Sequence, residues 1–389
     1  MTERIKAIAR GEAERLTALR RELHEHPELS FQEERTAALL RARLEELGLP
    51  WRNVGRRGIA VRLTGDAPGP HIAFRADFDA LPIQEETGLP FASQTPGQMH
   101  ACGHDAHASV LMGLARTMAA HRDLLRGDVT LLFQDAEEIP PGGAAAMVAD
   151  GCLDGVDRIY GLHVSEELDT GSVGVCEGEY MAAAYSFEVS FLGRGGHGSR
   201  PSQGDDTVSA LAAAITGINA IPARFLPAHE TASVAVCRVS GGNSYNVLPA
   251  RCTLQGTARA FSPQTAEIIR ERIRLCAQGA AALYHTDFDF RFEPGYSPVI
   301  NAPACCQVVR QAAGLLGLPC RTLSPTTIAE DFSAYLGQVP GAFFRIGIRN
   351  PALDAVHPLH SGKFRLDEAA LPTALALFWA IYLRETGQL

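Results

Sequence analysis

Three histidines, a cysteine and an aspartate crowd the segment Met99-His100-Ala101-Cys102-Gly103-His104-Asp105-Ala106-His107. Thiolate, imidazole and carboxylate are the side chains that bind divalent metals. Cys102 and His104 stand two positions apart, which in extended backbone puts both on one side. Gly103 between them frees the chain to turn both toward one ion. Spacing leaves open whether His100 and His107 bind metal or serve the structure. A second cluster, Gln134-Asp135-Ala136-Glu137-Glu138, follows the apolar run Val129–Phe133. That places it at the carboxyl end of a strand, the edge where open α/β sheets bind ligands. Adjacent carboxylates can divide the work there, one holding metal and the other taking a proton from water.

Other residues could reach the same edge. His163 ends the run Tyr160-Gly161-Leu162-His163, and His360 lies in His357-Pro358-Leu359-His360-Ser361. Asp77 and Asp79, in Arg75-Ala76-Asp77-Phe78-Asp79-Ala80-Leu81-Pro82, end a strand with two carboxylates suited to orienting ligand histidines. His197 sits among glycines in Arg194-Gly195-Gly196-His197-Gly198-Ser199-Arg200-Pro201. This reads as an exposed loop that could offer a donor to a substrate oxyanion or carboxylate. Each feature alone has an ordinary explanation: a satisfied core histidine, a solvated acidic loop, a charged turn. Their clustering is what shifts the balance toward a metal site. Phosphate-binding glycine loops and the nucleophile elbow of serine hydrolases are absent from the settings that would make them work.

The elements that must position these residues alternate. Helical spacing covers Ile5 to His24 and Glu33 to Leu47, with Gly48 placed as a C-terminal cap. Strand-length runs follow at Ile59 to Leu63 and His71 to Ala76. A helix is expected over His104 to His121, then strands from Val129 and from Arg158 to His163. This is the pattern of an α/β layer with a mainly parallel sheet. From about residue 181 the pattern changes to period-two strands and two helices in the order β-α-β-β-α-β, a ferredoxin-like arrangement. The expected organisation is one α/β domain over 1–180 and 296–389 with a smaller α+β domain inserted over 181–295.

The chain has 389 residues, 46% hydrophobic and 20% charged, with a net charge of −9. Two domains suit that length. The acidic balance argues against nucleic acid as a partner. No apolar run is long enough for a membrane span, and the charged stretch MTERIKAIAR contains no signal-peptide core. Nine dispersed cysteines with no CxxC pair read as reduced thiols in a cytoplasmic protein.

Taken together, these motifs resemble the aminoacylase and hippurate hydrolase family, which includes the plant auxin-conjugate (indole-acetyl amino acid) hydrolases. It implies a fold of the metallo-exopeptidase type, with 1–180 and 296–389 as the catalytic metal-binding domain and 181–295 as a lid or dimerisation domain. The resemblance runs through Arg21–Phe31, Asp77–Pro82, Met99–His107, Glu137-Glu138, Gly161–Val164, Gly195–Gly198, Asn246-Val247-Leu248-Pro249, Ala329–Ser333 and His360-Ser361. It implies two divalent ions per subunit, zinc or manganese, with cobalt and nickel also admitted. Cys102 would bridge them, and His104, Glu138, His163 and His360 would complete the ligands. Glu137 would be the general base. His197 would reach from a partner subunit to the oxyanion, and Asn246 would bind the substrate's amide or carboxylate. A homodimer, or a dimer of dimers, follows from that role. The implied substrate is a small N-acyl amino acid carrying acetyl, benzoyl or a similar group. Alternatives are a dipeptidase or carboxypeptidase using the same site, and a metal-binding homologue without turnover. Asp135 departs from the family's usual proline, Ile139-Pro140-Pro141 from a glycine-rich run, Ser202 from a second histidine and Gly362 from a proline.

Overall fold

A computed structural model describes residues 1–389. The chain divides into two compact units, one of Met1–Tyr180, Ile300–Ser324 and Asp331–Leu389, the other of Met181–Val299 with Pro325–Glu330.

The first unit is built on an eight-stranded mixed sheet. At its centre the Arg158–Asp169 strand lies between Ile72–Asp77 and Gly341–Arg349, parallel to both. These strands are buried almost end to end, as expected for parallel strands covered on both faces. The Asp128–Gln134 strand runs parallel to Ile72–Asp77 on its other side. Beyond it, Gly58–Thr64 and Trp51–Val54 continue the sheet antiparallel. Because Ile72–Asp77, Asp128–Gln134 and Arg158–Asp169 run the same way, Asp77 and Glu137 leave their strands on the same side, level with His163, which lies in mid-strand and not at the strand end that the sequence suggested.

Four helices, Thr2–Glu25, His104–Ala120, Pro303–Leu316 and Ala370–Glu385, pack with one another and into one apolar core with the sheet. The His104–Ala120 helix is buried on nearly every side. A helix apolar all round must be internal, so its first turn is held as firmly as the core itself. The Gly48 cap is left-handed as expected, with φ 64°.

The second unit is a four-stranded antiparallel sheet whose chain-order strands are Ala183–Leu192, Ala232–Gly241, Arg251–Ala260 and Asp287–Pro294. The first and third form the centre, with the fourth beside the first and the second beside the third. Helices Thr207–Asn219 and Pro263–Tyr284 close one face over Phe187, Val189 and Leu254. This is the ferredoxin-like order read from the period-two strands.

Candidate metal centre

Cys102 closes a turn, Gly103 takes a left-handed φ of 85°, and His104 opens the long buried helix. The backbone here is therefore the turn that Gly103 was expected to allow. It is the glycine that lets Cys102 and His104 converge. A Cβ on Gly103 would also lie 2.5 Å from Val164 Cγ2, so the close passage of the neighbouring strand demands a glycine as well.

Two groups of donor atoms overlap at one sulfur. Cys102, His104 and His163 offer ligand atoms within 4.8 Å of one another, and so do Cys102, Glu138 and His360. Cys102 Sγ lies 3.3 Å from His163 Nε2. His360 Nε2 is 3.3 Å from Glu138 Oε1, and His104 Nε2 is 3.9 Å from it. Donors bound tetrahedrally to one ion at metal-ligand distances lie roughly 3.3–3.8 Å apart. His104 Nε2 and Glu138 Oε1 are buried without a hydrogen-bond partner, which is costly unless something else satisfies them. The residues present therefore fit divalent metal, with two donor groups that have Cys102 in common. Glu137 belongs to a third group with His104 and Glu138, again within 4.8 Å. His100 joins none of these groups; burial pushes its imidazole down to about 4, so it is neutral.

Two of the donor rings, His104 and His163, are aimed by a second contact, and the backbone of Glu138 and His360 is tied down. Asp79 Oδ1 lies 3.0 Å from His104 Nδ1, while Asp79 Oδ2 accepts from Ser30 Oγ at 2.7 Å and from the Glu138 N–H at 3.0 Å. His163 Nδ1 donates to Val164 O at 2.7 Å, leaving Nε2 bare. Asp77 meets His107 instead: its Oδ1 is 2.6 Å from His107 Nδ1, and its Oδ2 comes within 3.8 Å of His104 Nε2. Two non-glycine residues in the cluster hold left-handed backbone, Ala136 at φ 50° and His360 at φ 61°. Such strain persists where surroundings over-determine it. The His360 N–H donates to Ala101 O at 2.8 Å, and the Ala136 N–H to Glu33 Oε1 at 2.8 Å.

The electrostatics describe a site short of positive charge. Burial pushes the Cys102 thiol up, and Glu138 adds to this. Burial, then the Arg345 guanidinium, holds His163 well down. Burial also works against charge on His104, but Asp77, Cys102 and Asp79 outweigh it and the imidazole rises. His360 is raised to about 10 by the neighbouring Cys102 and then Glu138. Protons sit where cations would otherwise balance the acidic donors, the usual competition at a metal site. Four of the five donors are buried or nearly so, whereas His360 is 52% exposed, which leaves one side of the cluster open.

Some supporting contacts carry no signal in the sequence. Asp105, in the first turn of the buried helix, is held by Arg20 Nε at 2.8 Å and His24 Nδ1 at 2.7 Å. His24 Nε2 lies 3.3 Å from Glu85. His24 falls in a stretch that marks the family resemblance, but nothing local ties it to a residue 81 positions away.

In the second unit, Gly196–His197 pairs antiparallel with Val247–Leu248, so the glycine-framed histidine rides on a short ribbon rather than a free loop. His197 Nδ1 accepts from the Ser199 N–H at 3.2 Å, which places the ring proton on Nε2, and the side chain is exposed. Asn246 is adjacent: its carbonyl accepts from the Gly198 N–H at 2.8 Å, and its Oδ1 accepts from Ser244 Oγ at 2.6 Å.

A mixed sheet carrying overlapping groups of metal-donor side chains, with an inserted ferredoxin-like unit, is the architecture of a metallopeptidase-like hydrolase. Residues 73–384 match peptidase family M20/M25/M40, and the chain belongs to that family. It is 38% identical over 366 residues to the N-acetylcysteine deacetylase of Bacillus subtilis, covering 94% of this chain and 95% of that one. It is 40% identical over 300 residues to the N-acyl-L-amino acid amidohydrolase of Geobacillus stearothermophilus, covering 77% and 81%. A crystal structure of a dinuclear metal-binding M20 peptidase from Bacillus subtilis superposes with a TM-score of 0.85 at 35% identity, covering 98% of this chain and 100% of that one. No helix is long and apolar enough to cross a membrane.

Proposed function

We propose that this protein is a metal-dependent amidohydrolase that cleaves the amide bond of N-acyl amino acids, releasing a carboxylic acid and a free amino acid. The observation that carries this is the five-donor cluster sharing Cys102, with the Glu137 carboxylate beside it. The amidohydrolase and deacetylase relatives at 38–40% identity support the substrate class. Cys102, His104, Glu138, His163 and His360 would hold two divalent ions, which supply Lewis acidity toward the amide carbonyl and toward water. Glu137 takes the proton of the attacking water and returns it to the leaving amine nitrogen. His197, protonated on Nε2, donates to the oxyanion that develops on the carbonyl. Asn246 binds the substrate's amide or carboxylate beside it. Asp79 keeps His104 oriented.

The thiolate favours zinc, and the imidazole and carboxylate donors accept manganese, cobalt or nickel. His197 works across a homodimer, in keeping with its exposure on the ribbon. Nine unpaired cysteines suit the cytoplasm. A peptidase using the same centre is the second reading, favoured by the likeness to the M20 peptidase structure.

The test is to strip the protein with a chelator, reload it separately with zinc and manganese, and assay acetyl, benzoyl and indole-acetyl amino acids beside plain dipeptides. Metal-dependent release of a free amino acid from the conjugates is the expected result. Cleavage of dipeptides alone would transfer the function to a peptidase. Two ions bound with no turnover of any substrate would leave a metal-binding protein.

A further inference from the structure

His107 is a fully buried histidine in the densest metal-binding motif of the chain, and the proposed reaction gives it nothing to do. Its ring lies between two proposed ligands, 5.3 Å from that of His104 and 4.6 Å from that of His163, centroid to centroid. With Asp77 and His104 it even forms a group close enough to hold an ion. Its nitrogens, however, are both engaged. Nδ1 is 2.6 Å from Asp77 Oδ1, and Nε2 accepts from the Val164 N–H at 3.0 Å. An imidazole that accepts at Nε2 carries its proton on Nδ1, so His107 is a neutral donor to Asp77 and has no lone pair left for a metal.

The backbone explains why a side chain is needed there. The Ile72–Asp77 strand pairs with Arg158–Asp169 only as far as Arg75 opposite Gly161. Past that point the chain departs toward Asp79, and the Val164 N–H faces the gap without a strand to meet it. A buried N–H must find a partner, and His107 Nε2 is that partner. Val164 is thereby held at both of its polar groups, since its carbonyl accepts the His163 Nδ1 proton at 2.7 Å. Behind His107 the anchorage is rigid and buried. Asp77 Oδ2 accepts from Arg75 Nη1 at 2.6 Å, Arg75 Nη2 donates to Asp331 Oδ1 at 2.8 Å, and Arg75 Nε to Gln134 Oε1 at 2.7 Å.

We propose that His107 is a positioning residue: bridging Asp77 to the Val164 N–H, it sets the place and tautomer of the His163 ring and so the affinity of the ion that His163 binds. The proposal rests on the dinuclear reading of the site.

Two substitutions separate the halves of the bridge. His107→Gln can still present an acceptor to Val164, while His107→Asn keeps a donor toward Asp77 and loses that acceptor. Calorimetric titration of each chelator-stripped protein with zinc gives stoichiometry and affinity without any substrate. The expected result is that the asparagine variant binds one of the two ions about 10–100-fold more weakly, the usual effect of removing a ligand's supporting partner. The glutamine variant should stay within about threefold of the wild type by the same reasoning. With cobalt in place of zinc, the absorption bands of the asparagine variant should shift as the His163 donor moves. Wild-type affinity for both ions in the asparagine variant overturns the proposal alone. Fewer than two ions in the wild type overturns the dinuclear reading, and the proposal with it. Should the asparagine variant not fold, nitrogen-15 spectra of the wild-type histidines decide: His107 must appear as the Nδ1–H tautomer, and the Nε2–H form overturns the bridge.

Discussion

At the scale of single residues, the cluster depends on carboxylates placed where water cannot fully reach them. Glu33 is the extreme case. It is completely buried, and its carboxyl is pushed up to about 8, chiefly by burial, with the charges of Asp79 and Asp135 adding to it. Hydrogen bonds from the Glu33 and Ala136 backbone N–H groups oppose the rise. In the unfolded chain the same group titrates near 4.5. Between those values the folded protein keeps a proton that the unfolded chain releases. Stability must then fall as pH rises through that window, by up to roughly 1.4 kcal/mol per pH unit from this group. Glu33→Gln retains an acceptor for Ala136 and removes the titration. Melting temperatures of the chelated proteins at pH 5 and pH 8 should show the wild type losing ground to the variant at the higher pH. Parallel behaviour of the two would mean that Glu33 is ionised in the folded protein. Asp135 sits in the same buried pocket and is itself raised by burial. Its departure from the family's usual proline thus adds a carboxyl to a place already reluctant to hold charge.

At the scale of elements, the junction between turn and helix decides whether the donors meet. Gly103 combines a left-handed backbone with a close approach to Val164. Gly103→Ala introduces both a conformational penalty and a clash in a packed interior, together roughly 2–4 kcal/mol. The expected outcome is a lower melting temperature and fewer than two zinc ions bound, read by thermal unfolding and metal analysis. A fully loaded, equally stable alanine variant would show that the turn can be reached in another way. The helix that Gly103 precedes is anchored from behind by the Arg20–Asp105–His24 network, all of it buried. Asp105 is held far below the usual carboxylate range: burial works against its charge, and Arg20 and His24 outweigh that.

At the scale of the whole molecule, the proposed roles of Glu137 and His197 lie in different units of the chain. If His197 serves the centre of a second subunit, Glu137→Gln and His197→Ala should each be nearly inactive alone and active when mixed. In the mixed dimer one centre has an intact Glu137 and receives an intact His197. Activity of mixed samples after subunit exchange is the measurement. Mixtures that remain silent, with exchange verified by mass, would place His197 in the service of its own subunit.

The sequence determined the element types and the α/β class of the fold, because these follow from local pattern. Apolar periodicity and strand length are local properties: the expected and observed strands at Ile59–Leu63 and Tyr185–Phe191 differ only at their ends. Metal-ligand chemistry is likewise written in residue types, which marked the Cys102–His104 cluster, while the set Cys102, His104, Glu138, His163 and His360 came from the family resemblance; the structure brings these five together as candidate donors. What only the tertiary structure decided is which partner each side chain takes. Spacing left His107 open between ligand and scaffold; the departure of one strand from its neighbour at Gly161 makes it a partner of Val164. Asp77 and Asp79 looked equivalent, yet one meets His107 and the other His104. The Arg20, His24 and Glu33 contacts join residues 81 to 103 positions apart. Such pairings arise because parallel strands and packed helices bring distant segments to one edge, and no local pattern records where that edge will be.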